Sequence, residues 1–188
     1  MGGVINRTLE THRERRIANY GTFRLLLFGL DEAGKTSILN YIKTNDCGHT
    51  EPTALFNVES LSLSGSLNVS VRDFGGRAEY RGQWVRSITG GDAVLYVVDS
   101  SDTQRIEESK LELEKLLDSI ISVKIPLLIL ANKQDLPTAL SEDEMKKLFV
   151  TQLLKQKDRL SGVYPISAVS GNGINELIVD MKRYFKSI

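Results

Sequence analysis

Apolar runs and apolar periodicities follow one another along the chain in a regular succession. Residues 23–28 are a short, almost wholly apolar run that stops at Gly29, as a strand covered on both faces does. Residues 93–99 and 127–131 are runs of the same kind. Leu67, Val69 and Val71 instead alternate with Asn68, Ser70 and Arg72, the pattern of a half-buried strand. Ser64-Gly65-Ser66 just before them is a turn signal, which makes residues 56–63 the other arm of a hairpin. A further short strand is expected over 163–166. Helical spacing appears over 35–43, with Ile38, Leu39 and Ile42 on one side. Ser101-x-x-Gln104 resembles a capping box, opening a helix through about Ile120 that buries Ile106, Leu113, Leu117 and Ile120. Ser141-x-x-Glu144 is a second such box, for a helix toward Leu148. Ile174, Leu177, Ile178, Met181 and Phe185 recur at helical spacing in a last helix. Residues 44–55 hold Asn45, Asp46, Gly48 and Pro52 without periodicity and read as a loop. Strands alternating with helices predict an α/β fold in three layers. Its sheet is mostly parallel and six-stranded, with one antiparallel edge strand and helices on both faces.

Composition narrows this picture without redirecting it. A chain of 188 residues, 41% hydrophobic, suits one domain with a single core. Lys+Arg and Asp+Glu balance at 24 each, so no overall charge argues for nucleic acid. Cys47 is the only cysteine, which excludes an intrachain disulfide and a multi-cysteine metal site. A cytoplasmic monomer is expected. The apolar runs are far shorter than the ~20 residues that span a bilayer. Residues 1–21 read as an N-terminal extension ahead of a domain at 22–188. Met1-Gly2 begins like a myristoylation signal, although Asn6 stands where Ser or Thr is preferred. Val4, Ile5, Leu9 and Ile17 give the extension a thin apolar face, and Arg7, Arg13, Arg15 and Arg16 would assist on anionic lipid. Gly2 is therefore the lipidation candidate, and peripheral membrane association is the expectation that goes with it.

The chemistry is concentrated in four segments. Residues 29–36 match G-x-x-x-x-G-K-[ST], after an expected strand and at the start of a helix, as this phosphate-binding loop requires. Its glycines, Gly29 and Gly34, let the backbone curl so that successive N–H groups, over Asp31, Glu32, Ala33, Gly34, Lys35, Thr36 and Ser37, face phosphate oxygens. Lys35 brings a full charge to the β- and γ-phosphates, and the Thr36 hydroxyl can ligate Mg²⁺. The Asp31 and Glu32 carboxylates would repel phosphate and are expected to point away. Asn132-Lys133-Gln134-Asp135 closes an apolar run, where nucleotide sites lie. Asp135 can accept from the N1–H and the exocyclic amine of guanine, a donor pair that adenine lacks. Asn132 can brace the loops and the Lys133 stem can cover the ring. Ser167-Ala168, extended to Val169, would close the other side of the base with a backbone N–H to O6. Asp73, before Phe74-Gly75-Gly76, can hold Mg²⁺ through water. Gly76 can bring its N–H to a γ-phosphate because no Cβ intervenes. Thr53, after Pro52, could bring a hydroxyl to Mg²⁺ and the γ-phosphate. His12 and His49 have no partner at ligand spacing. Trp84 is expected to pack a helix onto the core, and Glu107, Glu108, Lys110, Glu112, Glu114 and Lys115 to form a solvated helix face.

Together these segments resemble the small GTPase superfamily, of P-loop NTPase fold, and specifically its Arf-like branch. The spellings at 29–36, 56–59 (Phe-Asn-Val-Glu), 97–100 (Val-Val-Asp-Ser) and 131–136 (Ala-Asn-Lys-Gln-Asp-Leu) carry the likeness, which covers about residues 21–188. The resemblance implies a Mg²⁺-dependent GTP/GDP switch acting in trafficking, cytoskeletal or ciliary processes. It implies two mobile segments near 45–57 and 74–88, and as partners an exchange factor, a GTPase-activating protein and effectors. Lys35, Thr53 and Gly76 would serve hydrolysis. Several positions depart from the family pattern. Arg77 stands where the family places the glutamine that orients the attacking water. Arg72 replaces a tryptophan and Ser87 a tyrosine, so that Phe56 alone remains of an effector-facing triad, and Ala54-Leu55 replaces Ile-Gly. Two readings follow, a slow GTP hydrolase and a GTP-holding scaffold without turnover. A P-loop kinase or ATPase is a third, against which Asn132 and Asp135 argue.

Overall fold

The computed structural model describes residues 21–63, 67–88, 90–118, 125–154 and 161–186. Six strands form its sheet: β1 (Thr22–Gly29), β2 (Phe56–Leu63), β3 (Leu67–Phe74), β4 (Ala93–Asp99), β5 (Leu127–Asn132) and β6 (Ser161–Pro165). Their order is β2-β3-β1-β4-β5-β6, parallel throughout except for β2, which runs antiparallel to β3 at the edge. Around them lie α1 (Lys35–Thr44), α2 (Ala78–Arg81), α3 (Trp84–Ser87), α4 (Ile106–Asp118), α5 (Glu142–Leu148), α6 (Val150–Leu154) and α7 (Ile174–Lys186). The expected three-layer α/β architecture is what the chain adopts.

Alternation along β1 divides the core in two. Phe23, Leu25 and Leu27 join Ile38 and Leu39 of α1 and Ile174, Leu177 and Met181 of α7 on one face. Leu26 and Phe28 join Trp84, Leu113, Leu117 and Phe149 on the other. The central strands β4 and β5 are buried on both faces, hence their unbroken apolar runs. Edge strand β2 is mostly exposed, and only its partner β3 alternates cleanly.

Helix ends fit the expectations unevenly. Ser141 and Glu144 do form a capping box at the start of α5. Ser101 does not cap α4. Its N–H and its hydroxyl both bond Asp99 Oδ1, at 2.9 and 2.6 Å, so the side chain is turned back toward β4. Asp102 accepts from the Arg105 N–H instead, at 3.3 Å, and α4 begins at Ile106. The short helices α2, α3 and α6 have too few turns to show a period. The hairpin turn at 64–66, the helix continuation to Ile120 and the extension over 1–20 lie outside the described residues.

Parallel strands align their carboxyl ends. The segments after β1, β3, β4, β5 and β6 therefore meet along one rim of the sheet, where crevices for ligands form.

Candidate functional site

On that rim lies a cavity of about 460 Å³, within the range that ligand sites occupy. Asp31, Glu32, residues 34–37, Thr53, Gly76, Arg77 and Lys133 line it. Residues as far apart in the chain as Asp31 and Lys133 are thus brought to one wall.

The phosphate loop is shaped by close approaches that only glycine allows. Gly34 has φ 89°, and a Cβ there would overlap the Asn132 amide nitrogen. Asn132 is itself buried and braces two loops. Its Nδ2 donates to the Ala33 carbonyl at 2.8 Å and its Oδ1 accepts from the Ala168 N–H at 3.0 Å. Lys35, the first residue of α1, is buried and donates to the carbonyls of Gly29 and Leu30 at 3.0 and 2.7 Å. Burial disfavours its charge, and although Asp73 and Asp31 oppose this, its pKa falls to about 8.

Three oxygen side chains converge beside Lys35. Thr36 Oγ1 donates to Asp73 Oδ2 at 2.6 Å. Thr53 Oγ1 lies 3.2 Å from Thr36 Oγ1 and 3.4 Å from Asp73 Oδ2. Burial raises the Asp73 pKa above the usual carboxylate range, against the Thr36 bond, the Lys35 charge and the Thr53 bond. Its other oxygen, Oδ1, is buried with no hydrogen-bond partner among the described residues. A buried carboxylate oxygen without a partner is costly unless something meets it. Two hydroxyls and one carboxylate beside a phosphate cradle are the hard, sparse donor set that suits Mg²⁺, which takes its other ligands from water and phosphate. The residues present fit that ion. No cluster of three or more His, Cys, Asp or Glu suited to a metal occurs among the described residues.

At the opposite end, the Asp135 carboxylate is exposed and accepts from the Ser167 hydroxyl at 2.6 Å. Ser167 is fully buried, and its oxygen also accepts from the N–H groups of Val169 and Ser170. The Lys133 ammonium pairs with Asp99 at 2.6 Å, which holds its stem across the rim. The Asp99 carboxyl lies below the usual range because the bonds from Lys133 and Ser101 outweigh the effect of burial. Val169 is largely exposed. The N–H groups of Ser167 and Ala168 bond Asn172 O and Asn132 Oδ1 in this conformation, and the Val169 N–H, at 3.2 Å from Ser167 Oγ, has the longest of these bonds.

The segment carrying Gly75, Gly76 and Arg77 closes the site. The Gly75 N–H donates to Leu55 O at 2.9 Å, and Trp84 Nε1 donates to Gly75 O at 3.1 Å, anchoring the segment to the core. Gly76 lies flat on the phosphate loop, where a Cβ would overlap the Asp31 amide. Arg77 is exposed, lines the cavity and makes no side-chain hydrogen bond or ion pair among the described residues.

As expected, the Asp31 side chain does not point into the cradle. It pairs with Arg105 at 2.8 Å and with Arg81 at 3.4 Å. Burial raises its pKa, but the Arg105 bond and the two guanidinium charges outweigh this and leave it low. Glu32 lines the cavity with φ 64°. Glu108 is not part of a merely solvated helix face, because it bonds both Arg81 and Arg105. Arg81 and Arg105 were invisible to sequence reasoning, since no motif or period marks them.

The comparisons bear on the whole of this arrangement. A model of the ADP-ribosylation factor family matches residues 12–185. ADP-ribosylation factor-like protein 3 of Caenorhabditis elegans is 40% identical over 153 residues, 81% of this chain and 82% of that protein. ADP-ribosylation factor-like protein 3 of Chlamydomonas reinhardtii is 40% identical over 156 residues, 83% and 86% of the two chains. Among solved structures, the Arl6 BBS3 small GTPase from Trypanosoma brucei, with bound nucleotide analogue GppNp, superposes with a TM-score of 0.73. The identity is 28%, over 87% of this chain and 99% of that one.

Proposed function

The chain belongs to the ADP-ribosylation factor family of GTP-binding switches, and on that premise we propose that it is a Mg²⁺-dependent GTP/GDP switch that turns GTP over slowly by itself. The observation that carries this reading is the convergence of Thr36, Thr53 and the half-satisfied Asp73 beside Lys35. It is a place built for a divalent cation and phosphate together. When bound, Mg²⁺ would neutralise charge on the β- and γ-phosphates.

This chain's own residues would do the rest. Backbone N–H groups over 31–37 would hold the phosphates, and Lys35 would regain a counter-charge for its buried ammonium. Thr53 and Gly76 would sense the γ-phosphate, one through its hydroxyl and one through its N–H. Asp135 would accept from guanine while Ser167 keeps its carboxylate in place.

Slow turnover follows from Arg77. A water poised for in-line attack needs an acceptor, and a guanidinium carries five donors and none. Arg77 lies free at the cavity wall and could reach a γ-phosphate, but charge without a positioned water is half of the machinery. Members of this family act through regulators and effectors. For this chain we place an exchange factor and a GTPase-activating protein at the two switch segments. Effectors would meet the exposed Leu55, just before β2, and the exposed Phe56 and Val58 on that edge strand. Gly2 remains the candidate for lipid attachment at a membrane surface. No described helix is long and apolar enough to cross a membrane.

The test is to identify nucleotide released from the purified protein and then to titrate GDP, GTP and ATP with and without Mg²⁺. Tight, Mg²⁺-dependent binding of the guanine nucleotides alone is expected. Equal affinity for ATP, or indifference to chelation of Mg²⁺, would contradict the proposal.

A further inference from the structure

Arg81 occupies an unusual position for a cation. It sits in the four-residue helix α2, too short to be stable by itself, yet its side chain is only 7% exposed. Every side of its guanidinium has a partner on a different segment. Nε donates to Gly76 O at 2.7 Å, Nη1 to Glu108 at 2.7 Å and Nη2 to Asp31 at 3.4 Å. Glu112 stands 3.8 Å away. Arg105 repeats the pattern from the start of α4, with Asp31 at 2.8 Å and Glu108 at 2.9 Å. Two arginines and the two carboxylates they share, with Glu112 beside Arg81, thus tie the phosphate loop, the Gly76 segment and α4 into one network.

A network with a buried guanidinium and partly exposed partners contributes little net stability, because desolvation and solvent screening offset the attraction. Its geometry, however, has few intermediate forms. If the Gly76 segment leaves the phosphate loop, Arg81 must abandon either the Gly76 carbonyl or Asp31. A buried guanidinium cannot give up partners gradually. The docked arrangement is therefore closer to all-or-none than to continuously adjustable. Gly76 sets the contact distance, since it lies against the Asp31 amide where any side chain would collide.

We propose that Arg81 is a positioning residue whose clamp on Gly76, Asp31 and Glu108 raises the affinity of this switch for the triphosphate relative to the diphosphate. The inference rests on the nucleotide reading above. A γ-phosphate beside Lys35 contacts Gly76 only when that segment is docked, and a diphosphate lacks the contact. A ligand shifts a two-state element by its differential affinity for the two states, and the coupling is reciprocal. Strengthening the docked state therefore raises triphosphate affinity and leaves diphosphate affinity nearly untouched.

The experiment measures the dissociation constants of GDP and of a non-hydrolysable GTP analogue, both with Mg²⁺, together with the melting temperature. It compares wild type, Arg81→Lys and Glu108→Gln. Lysine keeps the charge but cannot hold three partners at once. The ratio of analogue to GDP affinity should fall roughly tenfold in Arg81→Lys, with GDP binding within about twofold of wild type. Glu108→Gln, at the solvent end of the network, should move the ratio in the same direction by a smaller factor, and it carries the test if Arg81→Lys does not fold. A purely structural role would weaken both nucleotides in parallel as the melting temperature drops. That result, or an unchanged ratio in wild-type-like proteins, overturns the clamp alone. Wild-type protein that binds neither nucleotide overturns the underlying reading and the clamp with it.

Discussion

The two halves of the site are built differently. The half formed by Gly34, Lys35, Asn132, Asp135 and Ser167 is held by the buried polar groups of Lys35, Asn132 and Ser167. Asn132 alone joins the loops after β1 and β6, and Ser167 is fully buried beneath Asp135. The half formed by Thr53–Phe56 and Gly75–Ser87 rests on few anchors, namely the Gly75 bonds, Trp84 and the arginine network. Around those anchors Leu55, Phe56, Arg77 and Val85 stay exposed. Apart from Arg72 on β3, the departures from the family pattern noted above fall in this second half. The first half would hold the nucleotide, and its buried polar groups are bonded to one another. The second is where the proposed switch would move and meet partners, and more of its surface is exposed.

That contrast predicts that substitutions in the first half act on binding and do so strongly. Asp135→Asn replaces a double acceptor by a mixed donor and acceptor, and should exchange guanine for xanthine preference by roughly 10⁴-fold. Competition of GTP against XTP measures it, and unchanged GTP affinity would remove the guanine assignment. Asn132→Ala leaves the Ala33 carbonyl and the Ala168 N–H without their partner in a buried place. A loss of about 4 kcal/mol in urea unfolding is expected, from two unsatisfied buried groups.

Lys35 gives the contrast a pH dependence. Its folded pKa, about 8, lies below the 10.5 of an unstrained lysine. Between those values the unfolded chain binds more protons, so this residue's contribution to stability improves as pH rises. Below pH 8 the full penalty applies, about 3 kcal/mol for a shift of this size. Nucleotide-free Lys35→Met should therefore be more stable than wild type at pH 7, with the difference gone near pH 10.5. Denaturant melts at the two pH values decide it. An advantage for the variant that grew with pH would show the sign to be wrong.

In the second half, effects on stability should be small. Phe56 is half exposed, and its ring packs on Phe74 at a centroid distance of 5.7 Å. Phe56→Ala should cost only about 0.5–1 kcal/mol, with nucleotide affinity unchanged. A larger loss, or impaired GDP binding, would mean that this half is as rigidly built as the first.

How much was legible in the sequence follows the same division. The strands over 93–99 and 127–131, and the residues of the phosphate and base loops, could be read directly. Burial on both faces and glycine-dependent backbone contacts leave clear signatures in residue type. Ser101 misled because a local rule for caps ignores the Asp99 carboxylate two residues earlier, which takes the hydroxyl first. Arg81, Arg105 and Glu108 escaped because the contacts that join them to other elements, Arg81 to Glu108 and both arginines to Asp31, span 27 to 74 positions, and an arginine reads as surface until its partners are known. The short helices α2, α3 and α6 hold one turn each, less than a period needs.

Arg77, in the second half, lines the cavity with no side-chain partner among the described residues, and its chemistry is the most direct test of slow turnover. Purified protein preloaded with GTP and Mg²⁺ should release phosphate, in a single turnover, more slowly than the order of 10⁻⁴ s⁻¹ seen for small GTPases with the glutamine. Arg77→Gln should raise that rate while leaving GDP and GTP affinities as they were. Rapid release by the wild type that drops in Arg77→Gln would contradict the account and make the guanidinium a catalytic group.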